Sequence, residues 1–220
     1  MELSALKDSL PEKLYGILEK EIKELRPSQE KSVNAGLLKG KSLLVCTPTA
    51  SGKTLIGELA AMKYILEGKG KAVYIAPLKA LASEKYKEFK RKYGNIAKIA
   101  ISIGDIDSSD SYLAEYDLII TTSEKLDSLL RHSSPWVAKI SVVIVDEIHL
   151  LNDSGRGPTL EVIITILKSI LKEGQFIGLS ATIGNPEELA AWMNAELVVD
   201  EWRPVKLYKG IYFNGEVEFE

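Results

Sequence analysis

The chain has 220 residues, enough for one sizeable core, and its shares of apolar (45%) and charged (27%) residues are ordinary for a globular protein and argue against disorder. Its net charge of -3 excludes a uniformly basic surface, so a nucleic-acid partner would require a local basic face. The single cysteine, Cys46, excludes an internal disulfide and a cysteine-rich zinc site. We find no apolar leader and no apolar run near the ~18 residues of a membrane span, so we predict a cytoplasmic chain with no membrane partner.

Three regions are predicted in chain order. Residues 1–40 are expected to form helices with polar faces, and residues 41–202 alternate strand-like and helical segments. Residues 203–220 alternate apolar and polar positions around an Asn-Gly pair, which indicates either a hairpin or an extended connection. No internal repeat interrupts this order.

The middle region predicts an α/β fold. Apolar residues recur at helical spacing over 53–66 and 160–172, and strands are predicted where Val- and Ile-rich runs are nearly continuous. These runs are 42–46, 72–76, 96–103, 118–122, 142–145, 176–179 and 196–199. Alternating strands and helices predict a mostly parallel, twisted sheet of about seven strands with helices on both faces. Ligands of such sheets bind at the carboxyl ends of the strands.

A candidate phosphate-binding loop follows the first predicted strand. A loop of the form G-x-x-x-x-G-K-[ST] surrounds phosphate oxygens with backbone N–H groups, its lysine reaches the β- and γ-phosphates, and its final hydroxyl binds Mg²⁺. Lys53 and Thr54 fit these last two roles, whereas Thr47 departs from the pattern, which has glycine there. The loop residues are Thr47, Pro48, Thr49, Ala50, Ser51, Gly52, Lys53 and Thr54.

Two adjacent acids follow another buried run, in the sequence VVIVDEIH. Paired carboxylates at the end of a buried strand are costly unless they bind a cation or take part in chemistry. Asp146 is predicted to hold Mg²⁺, and Glu147 is predicted to orient and deprotonate an attacking water.

These motifs together resemble the superfamily-two DExH-box helicases. The similarity rests on TPTASGKT, DEIH and the SAT of residues 180–182, supported by LRPSQ at 25–29, which is similar to the adenine-recognising Q motif. APLKALASEK at 76–85 is similar to motif Ia, and GD at 104–105 with TTSEKLDSLLR at 121–131 resembles the blocks around motif Ib. Three further segments are most similar to archaeal Holliday-junction-migration (Hjm type) repair helicases of the Ski-like group. They are DSGRGPTLE, GNPEELAAWMNAELV and WRPVKL.

The resemblance implies a RecA-like P-loop NTPase domain over 41–202 that uses ATP and Mg²⁺. Gln29 would recognise adenine, and Arg26 would hold the Q-motif segment, which lies in the helices of residues 1–40. Thr54 and Asp146 would bind the metal. Lys53, Asp146 and Glu147 would be the catalytic residues. Coupling between nucleotide and nucleic acid is implied for His149, Ser180, Ala181 and Thr182. Contact with the sugar-phosphate backbone is implied for Pro77, Leu78, Lys79, Ala80, Leu81, Gly104, Asp105, Thr121, Thr122, Ser123 and Glu124.

The implied activity is that of the first motor domain of an ATP-dependent DNA helicase. Such an enzyme would move 3′ to 5′ as a monomer on single-stranded, forked or branched DNA in repair. Residues 203–220 would begin the connection to a second RecA-like domain that supplies arginines, so the chain alone is expected to hydrolyse ATP slowly and to unwind nothing.

Several alternatives stay open. An RNA-remodelling motor would share the ATP site, and a non-catalytic nucleotide-binding or nucleic-acid-binding module would share the fold. A GTPase is disfavoured because no Asn-Lys-x-Asp signature occurs. The basic run 83–94 is interpreted as a solvated helix face in preference to a nucleic-acid-binding patch. The role of Arg156 is undecided. Taken alone, Gln29 would be interpreted as an exposed helix residue.

Overall fold

Seven parallel strands form the central sheet. The computed structural model describes residues 1–104, 110–132, 134–208 and 210–219. The strands of the sheet are β1 (Leu43–Cys46), β2 (Lys71–Ala76), β3 (Ile99–Ser102), β4 (Leu118–Thr122), β5 (Ile140–Val145), β6 (Gln175–Ser180) and β7 (Glu196–Val199). Their spatial order is β3-β4-β2-β5-β6-β1-β7, and every pairing is parallel. The predicted parallel sheet of about seven strands is confirmed.

The order of the strands decides which loops meet. Strand β1 lies between β6 and β7, with Leu43 opposite Ile177 and Cys46 opposite Ser180. Strand β5 lies on the other side of β6. Because all three strands run in one direction, the segments that follow β1, β6 and β5 emerge side by side at one edge of the sheet.

Helices cover both faces of the sheet, as predicted. They are α1 (Glu12–Leu18), α2 (Pro27–Asn34), α3 (Lys53–Leu66), α4 (Lys79–Tyr93), α5 (Ser123–Arg131), α6 (Gly157–Ile170) and α7 (Pro186–Met193). Alternate residues of each strand face opposite sides, so Val45 joins the core beneath α1, α3 and α4 while Leu44 joins the core beneath α5, α6 and α7. Within the described residues, no helix is long and apolar enough to cross a membrane.

Short 3-10 helices connect these elements. They span Leu3–Ser9, Leu37–Lys39, Ser111–Glu115, Pro135–Lys139 and Ile148–Asn152. Near the C-terminus, β8 (Gly210–Phe213) and β9 (Glu216–Phe219) form an antiparallel hairpin, which was one of the two predicted alternatives.

Two differences between the predicted and observed bounds are explained by specific hydrogen bonds. Within the helices predicted for residues 1–40, the segment PEKLYGILEKEIKEL (11–25) has a helical pattern that continues past α1. The chain nevertheless leaves the helix after Leu18, and Leu25 N–H donates to the carbonyl of Met1 at 2.8 Å. Strand β3 starts at Ile99 because the N–H groups of Ile96 and Ala97 bond back to the Tyr93 carbonyl at the end of α4. In both places a tertiary or capping bond overrides the local pattern.

Candidate nucleotide-binding site

Three separate sequence motifs converge at the carboxyl ends of β1, β6 and β5. The loop after β1 begins at Thr47, whose N–H donates to the Ser180 carbonyl at the end of β6 at 3.2 Å. The acids follow β5, and Asp146 N–H donates to the Ile75 carbonyl of β2 at 2.9 Å. The sheet therefore brings together the predicted loop, the predicted acid pair and the SAT segment.

The loop 47–54 is held in shape by its own bonds. The buried hydroxyls of Thr47 and Ser51 lie 2.7 Å apart, and Lys53 Nζ donates to the Thr47 carbonyl at 3.0 Å. Gly52 has φ of +91° and immediately precedes α3. Helix α3 thus points its unpaired N-terminal N–H groups and the positive end of its dipole into the loop, which is a ready site for phosphate.

Lys53 is a partly buried cation whose charge interacts with those of two acids. Burial lowers the pKa of its ammonium, and the negative charges of Glu147 and then Asp146 oppose that shift. A partly desolvated ammonium gains a favourable interaction when an anion such as a phosphate binds beside it. The Thr47–Thr54 loop therefore fits a nucleoside triphosphate.

Gln29 ties α2 to this loop. Its Oε1 accepts from Arg26 N–H at 2.8 Å, closing the first turn of α2 as a capping residue, and its Nε2 donates to the Gly52 carbonyl at 3.0 Å. Gln29 is buried, so its interpretation as an exposed helix residue is wrong. Arg26 adds a second link by donating to the Ala50 carbonyl at 2.7 Å, and its guanidinium lies over the ring of Trp202.

Gly52 cannot carry a side chain in this arrangement, which gives a testable prediction. A Cβ there would lie 2.5 Å from Gln29 Nε2, whereas a Cβ at Gly68, which also has positive φ (+68°), would meet nothing within 4 Å. Gly68→Ala should lower the free energy of unfolding by about 1–2 kcal/mol through backbone strain. Gly52→Ala should cost about 1 kcal/mol more because it breaks the Gln29 bond.

Urea unfolding of both variants measures this difference. In a Gln29→Ala background the extra cost of Gly52→Ala should shrink to that of the remaining close contact with Arg26 Cδ at 3.1 Å, since the Gln29 bond is already lost. Equal costs for the two alanine variants in the native background would contradict the prediction.

The acid pair has one fixed member and one strained member. Asp146 Oδ1 accepts the Glu147 N–H at 3.1 Å, and Oδ2 accepts the Tyr74 hydroxyl at 2.6 Å. Burial and the charge of Asp146 raise the pKa of Tyr74 well above its ordinary value, which keeps this phenol a donor. Glu147 has φ of +49°, a costly backbone conformation for a residue with a side chain, and its carboxylate lies near the His149 ring.

His149 lies between Glu147 and the SAT segment. Its Nδ1 is 3.3 Å from Glu147 Oε2 and 3.4 Å from the backbone N of Ala181. One ring nitrogen cannot both donate to the carboxylate and accept from the amide. The histidine can therefore face the acid with a proton on Nδ1, or face Ala181 with a lone pair there.

Thr54 and Asp146 provide oxygens that suit a magnesium ion. Each Asp146 oxygen keeps lone-pair capacity after its single bond, and hydroxyl and carboxylate oxygens are ordinary Mg²⁺ ligands. The Thr54 hydroxyl accepts from Lys85 Nζ of α4 at 3.1 Å. A bound metal and this ammonium would repel each other, so Lys85 would have to withdraw when the metal binds.

The residues predicted to contact nucleic acid divide by exposure. Leu78, Lys79, Ala80 and Leu81 are exposed after β2, and Gly104 and Glu124 are exposed as well, whereas Pro77 is half-buried. Thr121, Thr122 and Ser123 are buried. The Thr121 hydroxyl donates to the Ser102 carbonyl, and Thr122 caps α5. Direct contact with a nucleic-acid strand would require Thr121, Thr122 and Ser123 to become exposed. Asp105 lies outside the described residues.

The basic run 83–94 is not a single surface. Lys92 bonds to the buried Glu58 at 2.8 Å, and Lys85 bonds to Thr54 and Glu88. Lys87, Lys90 and Arg91 are exposed on α4, as expected of a solvated face. Arg156, left undecided by the sequence, lines a small cavity beside Asp146 and Pro77 at the start of α6.

Sequence patterns assigned no individual role to three residues of this site, although two of them, Lys85 and Trp202, lie in the segments APLKALASEK and WRPVKL. Tyr74 lies inside a run that is typical of core, Lys85 inside a run that is typical of a solvated helix, and Trp202 beyond the last predicted strand. Each one is recognised only because the fold places it against a motif residue.

Comparisons with known proteins agree with this geometry. The family model described as "DEAD/DEAH box helicase" matches residues 26–189. The chain is 58% identical over 205 residues to a Methanocaldococcus jannaschii protein named "ATP-dependent DNA helicase Hel308", covering 90% of this chain and 17% of that protein. It is 49% identical to the protein of that name from Pyrobaculum calidifontis, covering 100% of this chain and 30% of that protein.

The fold comparison gives the same class. The crystal structure of the DUF1998 helicase MrfA bound to DNA matches with a TM-score of 0.76 and 29% identity, covering 88% of this chain and 30% of that chain. This confirms the predicted RecA-like fold and the resemblance to archaeal superfamily-two helicases. The chain spans 17% of the length of the Methanocaldococcus relative and 30% of the length of the Pyrobaculum relative. With a family model that covers most of its length, the chain belongs to the DEAD/DEAH box helicases.

Proposed function

We propose that the chain is the ATP-binding first motor domain of an ATP-dependent DNA helicase that moves 3′ to 5′ in DNA repair. The observation that carries this proposal is the setting of Lys53, a partly buried cation at the N-terminus of α3 whose Nζ donates to the Thr47 carbonyl of the loop and whose charge interacts with those of Glu147 and Asp146. The relatives named as ATP-dependent DNA helicases support DNA as the substrate class.

The proposed chemistry assigns one task to each group of the site. Loop N–H groups and the Lys53 ammonium bind the triphosphate. Gln29, with Arg26, recognises adenine through the side-chain N–H and the Oε1 lone pair that are not used in the bonds of Gln29 to Gly52 and Arg26. Mg²⁺, when bound, neutralises charge on the phosphates. Thr54 and Asp146 hold it, and the Glu147 carboxylate takes the proton from the attacking water.

Coupling is proposed to run through His149. When Glu147 engages water its carboxylate leaves the imidazole, and Nδ1 is then free to accept from Ala181 at the SAT segment. That segment bonds to the start of the phosphate loop through Ser180, so the two sites share one backbone connection. Ser180, Ala181 and Thr182 would transmit the change to the strand-binding side.

Single-stranded nucleic acid is proposed to run past the exposed residues after β2 and β3. The proposal further includes forked or branched DNA as a substrate and a second RecA-like domain as a partner. It also includes a monomeric state and an intracellular location. Lys79 is exposed at the carboxyl edge of the sheet, while Lys39 is exposed at the opposite edge, before β1. The two lysines make a matched pair for testing where the strand lies.

Binding of single-stranded DNA and RNA of one sequence, measured over a salt series with and without a non-hydrolysable ATP analogue, tests the proposal. We expect nucleotide-dependent binding that favours DNA. Lys79→Ala should reduce the slope of log K against log salt by about 0.7, the value for one lost phosphate contact on a single strand, and Lys39→Ala should not.

The other outcomes identify the alternatives. Preference for RNA, dependent on its 2′-hydroxyls, would indicate an RNA-remodelling motor. Binding of either strand without any response to the nucleotide would indicate a non-catalytic module.

A further inference from the structure

Tyr74 belongs to none of the sequence motifs, yet it contacts one of their acids. It lies in the middle of β2, is fully buried, and directs its hydroxyl to Asp146 Oδ2 at 2.6 Å. Positions 74 and 146 are brought together because Tyr74 pairs with Ile144 in the register of β2 and β5, and alternate residues of a strand face the same side.

The Asp146 carboxylate is fixed at both oxygens. Oδ1 accepts the Glu147 N–H at 3.1 Å and Oδ2 accepts the Tyr74 hydroxyl. A carboxylate that accepts from one donor can still rotate about its bond to Cβ. Donors to both oxygens fix the plane of the carboxylate. The lone pairs that remain then point in set directions.

We propose that Tyr74 is a positioning residue for the magnesium site, and that its hydroxyl sets the orientation in which Asp146 receives the metal or a metal-bound water. The inference rests on the proposed function, because that function assigns Asp146 to the metal. Partners that orient a metal-binding carboxylate affect metal affinity strongly although they never touch the ion.

The surroundings of Tyr74 suit this role. Its ring meets Phe89 of α4 edge-on, with centroids 5.6 Å apart and the planes at 63°. Full burial and this contact hold the ring in the position from which its hydroxyl donates to Asp146. Tyr74→Phe keeps the ring and removes only the donor, so it isolates the hydrogen bond.

The chain contains a matched control for a purely structural role. Tyr93 of α4 is also fully buried, and its hydroxyl donates to the buried carboxylate of Glu58 at 2.5 Å. Glu58 lies one turn along α3 from Thr54, and its second partner is Lys92. Tyr93→Phe therefore removes the same kind of bond from a carboxylate that has no assigned metal.

The test titrates Mn²⁺, as a paramagnetic substitute for Mg²⁺, into the 220-residue chain with saturating non-hydrolysable ATP analogue. Free Mn²⁺ is followed by electron paramagnetic resonance. We expect Tyr74→Phe to weaken Mn²⁺ binding about 10–100-fold, with affinity for the analogue in EDTA unchanged. Tyr93→Phe should bind Mn²⁺ like the native chain, and thermal unfolding of both variants verifies that they fold.

Each other result has a defined meaning. Native Mn²⁺ affinity in Tyr74→Phe, or an equal loss in both phenylalanine variants, would overturn the positioning role. Asp146→Asn separates this inference from the proposed function. If it weakens Mn²⁺ binding while Tyr74→Phe does not, only the inference fails, and if it binds Mn²⁺ normally, the proposed metal site fails too.

Discussion

Lys53→Met should abolish tight ATP binding while leaving the empty chain at least as stable as before. The lost charge-assisted bonds to phosphate are worth about 1.5–3 kcal/mol, which corresponds to a tenfold to hundredfold weaker affinity. Burial lowers the pKa of Lys53, which means that the folded chain disfavours its charged form. Removing that charge relieves the cost, and the relief offsets the lost bond to the Thr47 carbonyl.

The stability advantage of Lys53→Met should depend on pH. A lysine whose pKa falls on folding costs stability while it is protonated in both states, and that cost is recovered as the pH rises from the folded pKa toward the unfolded value of 10.5. The advantage of Lys53→Met in thermal unfolding should therefore shrink at alkaline pH. The exposed Lys39, replaced by methionine, serves as the control. Unchanged ATP affinity in calorimetry would remove Lys53 from the site.

Glu147→Gln should retain ATP binding and lose hydrolysis. A positioned general base contributes about 10²–10⁴ in rate, and glutamine has the size of glutamate without its basicity. Single-turnover hydrolysis, with protein in excess over labelled ATP, measures this loss even when turnover is slow. The affinity of Glu147→Gln for the non-hydrolysable analogue should stay within about twofold of the native value, which corresponds to a change in binding free energy below about 0.5 kcal/mol.

Glu161→Gln is the companion control for that experiment, since Glu161 is exposed on α6. It should hydrolyse ATP at the native rate. Should Glu147→Gln do so as well, another group must accept the proton, and the assignment of Glu147 as the base would be wrong.

The fold was predictable from sequence to the extent that local pattern and tertiary structure agree. Strands β4 and β7 and helix α3 occur at the predicted bounds, because their apolar runs begin and end with the elements themselves. The early end of α1 was not predictable. Gly16 weakens the helical pattern before Leu18 without interrupting it, and the pairing of residues 23–25 with the N-terminus is a long-range event.

The site was predictable in its residues but not in their bonds. Lys53 and Asp146 lie in recognisable motifs, whereas the pairing of Tyr74 with Asp146 depends on β2 lying next to β5. Gln29 shows the same limit. Its motif suggested an adenine contact, and only the structure shows that the amide also caps α2 and binds the Gly52 carbonyl.

The place of β1 between β6 and β7 has a consequence for biosynthesis. Its first residue, Leu43, pairs with Ile177 and Glu196, more than a hundred positions later in the polypeptide. A nascent chain leaving the ribosome would therefore carry this hydrophobic segment without either neighbour until most of the message had been translated. Closing so long a loop is entropically slow, which places maturation of the nucleotide pocket near the end of folding.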